Sequence, residues 1–233
     1  GRTTLNSMVL GAGFLAVSFT SLLQILSNPE FPPLFTPNTT LKQAFFWLSS
    51  GLFAMVSLLA YFLLPARRTR RRIATASVTV ATLLSFLVAW IGIWKPSWMT
   101  HLAESALKGS GAGGIAGLVL VLAFLGVAAF LARDAVRRND ANRAVLAASG
   151  FMLALSSWFY LHAPNPHSAT NLLAHLYSLV AFMLLYKSLF VTNVLRPQSE
   201  LIESEQKFRL VTESINDTFW IVTPGFRQLI YMS

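Results

Sequence analysis

The chain has no cysteine. That excludes structural disulfides, thiol nucleophiles and thiolate metal sites. Acidic residues are also scarce, with nine Asp and Glu against 18 Lys and Arg in 233 residues. Charged residues of both signs make up 12% of the chain, about half the share in an ordinary soluble domain. The centres of the apolar runs carry almost no charge, which withholds support from a small transporter or channel, the competing class. No internal repeat is visible, so inverted-repeat transporters gain no support either. There is no credible catalytic set, so any chemistry belongs to another part of a longer protein. No cofactor is assigned.

What the chain does have is hydrophobic length. Hydrophobic residues make up 55% of it, and mean hydropathy is +0.58. Long apolar runs separated by short basic loops predict a polytopic membrane protein. Six spans are expected, at about Leu5 to Leu26, Ala44 to Leu64, Ile73 to Trp94, Ile115 to Leu131, Ala144 to Leu161, and a sixth starting near Ser168. Pro65 ends the second. The proline-rich loop Ser27–Thr40 separates the first two. In the loop between the third and fourth, Ser97 to Lys108 reads as a short interfacial helix anchored by Trp94 and Trp98. The chain begins at Gly1 rather than Met, which leaves room for a preceding stretch, and no signal peptide is seen.

The arginines orient these spans. Arg67, Arg68, Arg70, Arg71 and Arg72 lie in one loop, and Arg133, Arg137, Arg138 and Arg143 in another. The opposite loops hold only Lys42, Lys95 and Lys108. The positive-inside rule puts both ends of the chain in the cytoplasm. It also accounts for the net charge of +9 without nucleic acid. The expected partner is the lipid bilayer.

After Val191 the character changes. Pro197 kinks the emerging rod or opens a new helix. Val194, Leu201, Phe208 and Ile215 recur every seven residues, one seam of a short coiled coil. Gln198, Glu205 and Thr212 occupy the companion seam, so a homodimer is expected to pair marginally. Phe219–Val222 and Gln228–Ser233 then read as strands around a turn at Pro224–Gly225. Two strands are not stable alone, so a larger domain is expected to continue.

Four histidines fall in the outer half of this arrangement: His101, His162, His167 and His175. His167 and His175 lie about 12 Å apart along a helix axis, too far to share one ion. A metal site from His101, Glu104, His162 and His167 requires the loops to meet. The alternative is interfacial histidines bonded to water and loop carbonyls. His175 sits about two turns into an apolar helix, where ionisable groups face the bundle interior or a watery cavity. With Asn171 on the same face and Trp90, Trp158 and Tyr160 as an aromatic wall, it is the candidate contact for a small hydrophobic ligand. The alternatives are a satisfied core histidine and an aromatic belt at the interface. Gly109, Gly111 and Gly114 match GxGxxG, but a membrane span follows where a dinucleotide fold needs a soluble βαβ unit. Gly113 and Gly117 instead fit GxxxG, which lets helices approach closely.

The stretch SEQKFRLVTESINDTFWIV, with Glu205, Phe208, Arg209, Ile215 and Asp217, resembles the entrance to a bacterial PAS domain, and Phe219 to Ser233 resemble its first two strands. The membrane part resembles the bacterial membrane-associated sensor (MASE) domains, the third type most closely. GAGFLAVSFTSLLQIL, QAFFWLSSGLFAMVSLLAYFLLP and NLLAHLYSLVAFMLLYKSLFV leading into Arg196–Pro197 carry that resemblance. Gln24 stands where members often have histidine. The resemblance implies a sensor bundle over residues 1–194, a cytoplasmic linker helix over 195–215, and the start of a PAS-like α+β domain over 216–233. It implies a bacterial inner-membrane input module ahead of a cyclic-di-GMP enzyme, a diguanylate cyclase or phosphodiesterase. A histidine kinase is the alternative output. A passive anchor is a further alternative.

Overall fold

The computed structural model describes residues 4–33, 35–65, 71–95, 114–163, 168–191, 195–214, 220–222 and 229–232. Six helices in it are long and apolar enough to cross a membrane. They are α1 (Leu5–Leu26), α2 (Thr40–Leu63), α3 (Arg71–Trp94), α4 (Ile115–Arg138), α5 (Ala141–Leu161) and α6 (Ala169–Phe190). Each has 21 to 24 residues. At about 1.5 Å per residue that covers the ~30 Å hydrocarbon core of a bilayer.

The helix ends follow local chemistry. The Thr39 side chain accepts from the Lys42 N–H at 3.1 Å, so α2 starts four residues before the first purely apolar run. Lys42 is buried there because its Nζ donates to Thr36 Oγ1 at 3.0 Å and to the Thr36 carbonyl at 3.3 Å. Leu64 turns extended (ψ 138°) ahead of Pro65 and ends α2 as expected. The second arginine loop differs from expectation. Helix α4 runs through ARDAVRR to Arg138, and α5 resumes at Ala141. Alanine, arginine and valine do not end a helix. Arg138 donates to Asp134 at 2.9 Å across one turn, and Arg143 returns from α5 to pair with Asp134 and, at 3.3 Å, with Asp140. The reversal needs only Asn139, left-handed at φ 49°, and Asp140, which caps α5 by accepting from the Asn142 N–H at 3.0 Å.

The helices pack as two triplets. In the first, α1 lies against both α2 and α3, and in the second, α5 lies against both α4 and α6. The triplets meet mainly along α2 and α4. Gly13 sets the α1–α2 distance, since a Cβ there would fall 2.7 Å from the Cβ of Ser57. Gly117, buried on α4, faces the end of the Leu161 side chain on α5, a close approach of the kind its sequence pattern predicts; Gly113 lies outside the described residues. Leu10, Val17, Leu58, Phe124, Leu146 and Leu185 form part of one continuous core across both triplets. Large apolar side chains such as Leu83, Leu122 and Met183 point outward. That is the expected exterior of a bundle whose solvent is lipid.

At the C-terminal end of α6 the C-cap Val191 keeps right-handed helical backbone (φ −58°, ψ −45°). Helix α7 (Arg196–Ser214) follows. Leu201 and Phe208 of the expected seam are 71% and 45% exposed in the single chain, while Val194 and Ile215 lie outside the described residues. Strand β1 (Trp220–Val222) pairs antiparallel with β2 (Leu229–Met232), with Trp220 opposite Met232 and an irregularity between Ile221 and Val222. The turn at Pro224–Gly225 and the interfacial segment 97–108 lie outside the described residues.

Candidate functional site

Helical spacing builds one polar seam in an otherwise greasy bundle. On α1, Val17, Ser21 and Gln24 stand at i, i+4 and i+7 and share a face. On α6, His175, Ser178, Leu179 and Phe182 do the same. These two faces are the walls of a cleft of about 460 Å³. Its floor comes from Trp47, Ser50 and Ala54 of α2, Phe124 of α4, and Leu153 and Ser156 of α5. Five of the six membrane helices, all but α3, therefore contribute to this cleft. Toward the middle of the bundle, Phe14 and Phe182 meet edge to face with ring centroids 6.2 Å apart.

Several polar atoms of the cleft are paired across helices. Ser21 Oγ lies 2.7 Å from Ser50 Oγ, joining α1 to α2. Ser156 Oγ lies 2.6 Å from Ser178 Oγ, joining α5 to α6. Other serines of the bundle behave differently. Ser18, Ser49, Ser57 and Ser149 donate back to carbonyls of their own helices. Gln24, buried, hydrogen-bonds the side chain of Tyr160, whose ring stacks on Trp47 at 4.6 Å and an interplanar angle of 18°. Among the described residues, no Asp, Glu, Lys or Arg lines the cleft, and His175, exposed at the mouth, is the one ionisable side chain in its lining.

The sequence-predicted residues divide between this cleft and elsewhere. His175 lines it, and Tyr160 stands behind it through Trp47 and Gln24. Asn171, one turn before His175, has its backbone N–H bound by the Ser168 cap at 3.2 Å. Trp158 and Trp90 are not in the cleft lining. Trp158 lies against His162, centroids 4.3 Å apart, while Nδ1 of His162 sits 2.9 Å from the Trp158 carbonyl. Trp90 projects from α3 beneath the ammonium of Lys95 at 5.5 Å. The spacing places both tryptophans at the outward-facing surface, and Trp47 takes the aromatic position beside the cleft. His101, Glu104 and His167 lie outside the described residues, among which no three His, Asp or Glu gather closely enough to hold a metal.

The sequence reading missed the four serines. A helix serine that reaches a neighbour has the same sequence signature as one that bonds its own backbone. Gln24 did carry a signal, as an amide within the apolar stretch LLQIL at the end of α1.

A family model, MASE3, described as a membrane-associated sensor domain, matches residues 2–197. No curated protein and no solved structure matches the chain.

Proposed function

From a chain that belongs to the MASE3 family of membrane-associated sensor domains, we propose an input module of a bacterial inner-membrane signalling protein, relaying a stimulus through α6 into α7. The observation that supports this most is that one helix has both jobs. Helix α6 forms a wall of the polar cleft through His175, Ser178 and Phe182. The same helix keeps helical backbone to its C-cap Val191, ahead of α7. A stimulus that changes the fit between α1 and α6 thus acts directly on the element nearest the output.

In this reading the nine arginines face the cytoplasm, and so do both ends of the chain. The strand pair after α7 begins a PAS-like domain, and the output beyond it is a cyclic-di-GMP enzyme, with a histidine kinase as second choice. The chain works as a homodimer joined along Val194, Leu201, Phe208 and Ile215. Each of these side chains, when buried, contributes about 1.5–3 kcal/mol. The polar companion seam keeps the pairing weak enough for a small shift to change register.

Cysteine crosslinking in membranes tests the seam, and the absence of native cysteine makes it clean. Leu201→Cys is expected to crosslink strongly and Ile202→Cys little. Equal yields at both positions, or none in a chain shown to be dimeric, would overturn the seam. A reporter fused after Arg72 is expected on the cytoplasmic side, and a periplasmic signal would overturn the orientation.

A further inference from the structure

The cleft lining specifies a class of ligand. We infer that the α1–α6 cleft binds a neutral, lipid-soluble molecule whose flat ring carries hydrogen-bond-accepting carbonyls, a quinone-type headgroup. The inference rests on the sensory reading above and names its stimulus.

Neutrality follows from the lining, in which His175 at the mouth is the one ionisable side chain among the described residues, because a charged headgroup at this depth needs an opposite charge or water. Carbonyl acceptors follow from the serines. In each of the pairs Ser21–Ser50 and Ser156–Ser178, one hydroxyl proton is spent within the pair. The other hydroxyl proton of each pair is left to donate. His175 adds a ring N–H at the mouth. The three donors stand on opposite walls, so a ligand with acceptors at two edges spans from α1 to α6. A flat ring follows from the aromatic lining, with Trp47 on the floor backed by Tyr160, and Phe124 and Phe182 beside it. The volume of about 460 Å³ lies in the range typical of small-molecule sites, roughly 300–1,000 Å³. Entry is lateral. Ile25, Leu176 and Leu179 rim the mouth and are all exposed on the outer surface of the bundle. A ligand dissolved in lipid reaches them without crossing water, and an apolar tail can remain outside among the acyl chains.

The experiment uses the chain in phosphatidylcholine nanodiscs, with one cysteine introduced at a time: Ser178→Cys, Leu179→Cys, and Leu122→Cys as an outward-facing control on α4. The rate of N-ethylmaleimide labelling is measured with decylubiquinone, whose fully substituted ring does not add thiols, or with monodecanoylglycerol, which offers an ester carbonyl on the same length of chain but no ring. Decylubiquinone at about ten times its dissociation constant is expected to slow labelling at 178 and 179 roughly ten-fold, since bound and free sites partition by mass action. Monodecanoylglycerol is expected to leave both rates unchanged, and neither compound is expected to affect position 122. Leu179→Cys keeps both serine pairs, so it reads the site even if Ser178→Cys perturbs it. No protection at 179, equal protection by both compounds, or the same slowing at 122 would overturn the proposal. Labelling reports occupancy alone. Its failure beside an intact Leu201 crosslink would remove this ligand and leave the relay standing, whereas protection without the crosslink would do the reverse.

Discussion

Of the openings among the described residues of the bundle, two make a contrast, and the larger of these has the less to offer. The groove between α4 and α5 encloses about 800 Å³. Alanines line most of it, among them Ala128, Ala132, Ala144 and Ala148. Its polar side chains, Asn139 and Asp140, sit together at the helix reversal, where they cap. The α1–α6 cleft is about half as large at 460 Å³, yet it holds serines, an amide and an imidazole drawn from four helices. Space between helices is easily made by small residues and easily filled by lipid. Polar atoms facing one another across helices cost desolvation unless partnered, so their placement carries more information than volume. The groove's polar residues cap the helix reversal, whereas the cleft's serines face one another across helices.

The largest expected effect comes from breaking the ion pairs at the α4–α5 reversal beside the groove. Arg143→Met removes the cation from Asp134, which is only 15% exposed. The loss should be about 2 kcal/mol, because a poorly solvated carboxylate is left short of charge. A lower melting temperature in detergent, with decylubiquinone protection at position 179 unchanged, is the expected result. Adding Asp134→Leu should recover most of the loss, and failure to recover would mean that Arg143 acts elsewhere.

His175→Leu is the opposite case. It removes one donor from the cleft, and one hydrogen bond is worth about 0.5–1.5 kcal/mol. Ligand affinity should fall several-fold while the melting temperature holds or rises slightly. A drop in stability with unchanged affinity would make His175 a packing residue.

Gln24→Leu should do some of both. It deprives the Tyr160 side chain of its partner at a cost of about 1 kcal/mol. Because Tyr160 supports the Trp47 ring, ring-bearing ligands should lose more affinity than acyl ones. Equal losses would dissolve the link between the stacked pair and the cleft.

The smallest effect is expected from filling the groove. Ala132→Leu should change stability by no more than about 0.5 kcal/mol, as outward-facing substitutions usually do, and leave labelling at position 179 untouched. A change in cleft protection would show that the two openings communicate.

These contrasts also mark what the sequence could and could not reveal. The six spans were legible because hydropathy is summed over about twenty residues, and single exceptions do not disturb it. The helix ends near charge were less so. The sequence reading stops α4 at Leu131, where charges begin, but a long arginine side chain lets the helix continue while its head group reaches water. Helix α2 likewise starts at Thr40 rather than Ala44, because loop acceptors solvate Lys42. His175 was legible as a lone ionisable group in an apolar helix. The partners that make it part of a cleft were not, because they come from α1, α2 and α5. Which serine of Ser49 and Ser50 crosses to a neighbour depends on helix rotation, which only packing decides.

Val191 and Leu195 both lie in turns wound wider than an α-helix. A wide turn takes up an additional residue without ending the helix, and each residue carries about 100° of rotation. In the relay proposed above, the length of the joint between α6 and α7 would set the angle between the helix face that lines the cleft and the face that would meet a second subunit. Inserting or deleting one residue there would leave the cleft intact while turning the seam away from its partner. Adding seven, two nearly whole turns, would bring it back. A module joined in this way can be fitted to different outputs by changing the length of its joint, without altering what it detects.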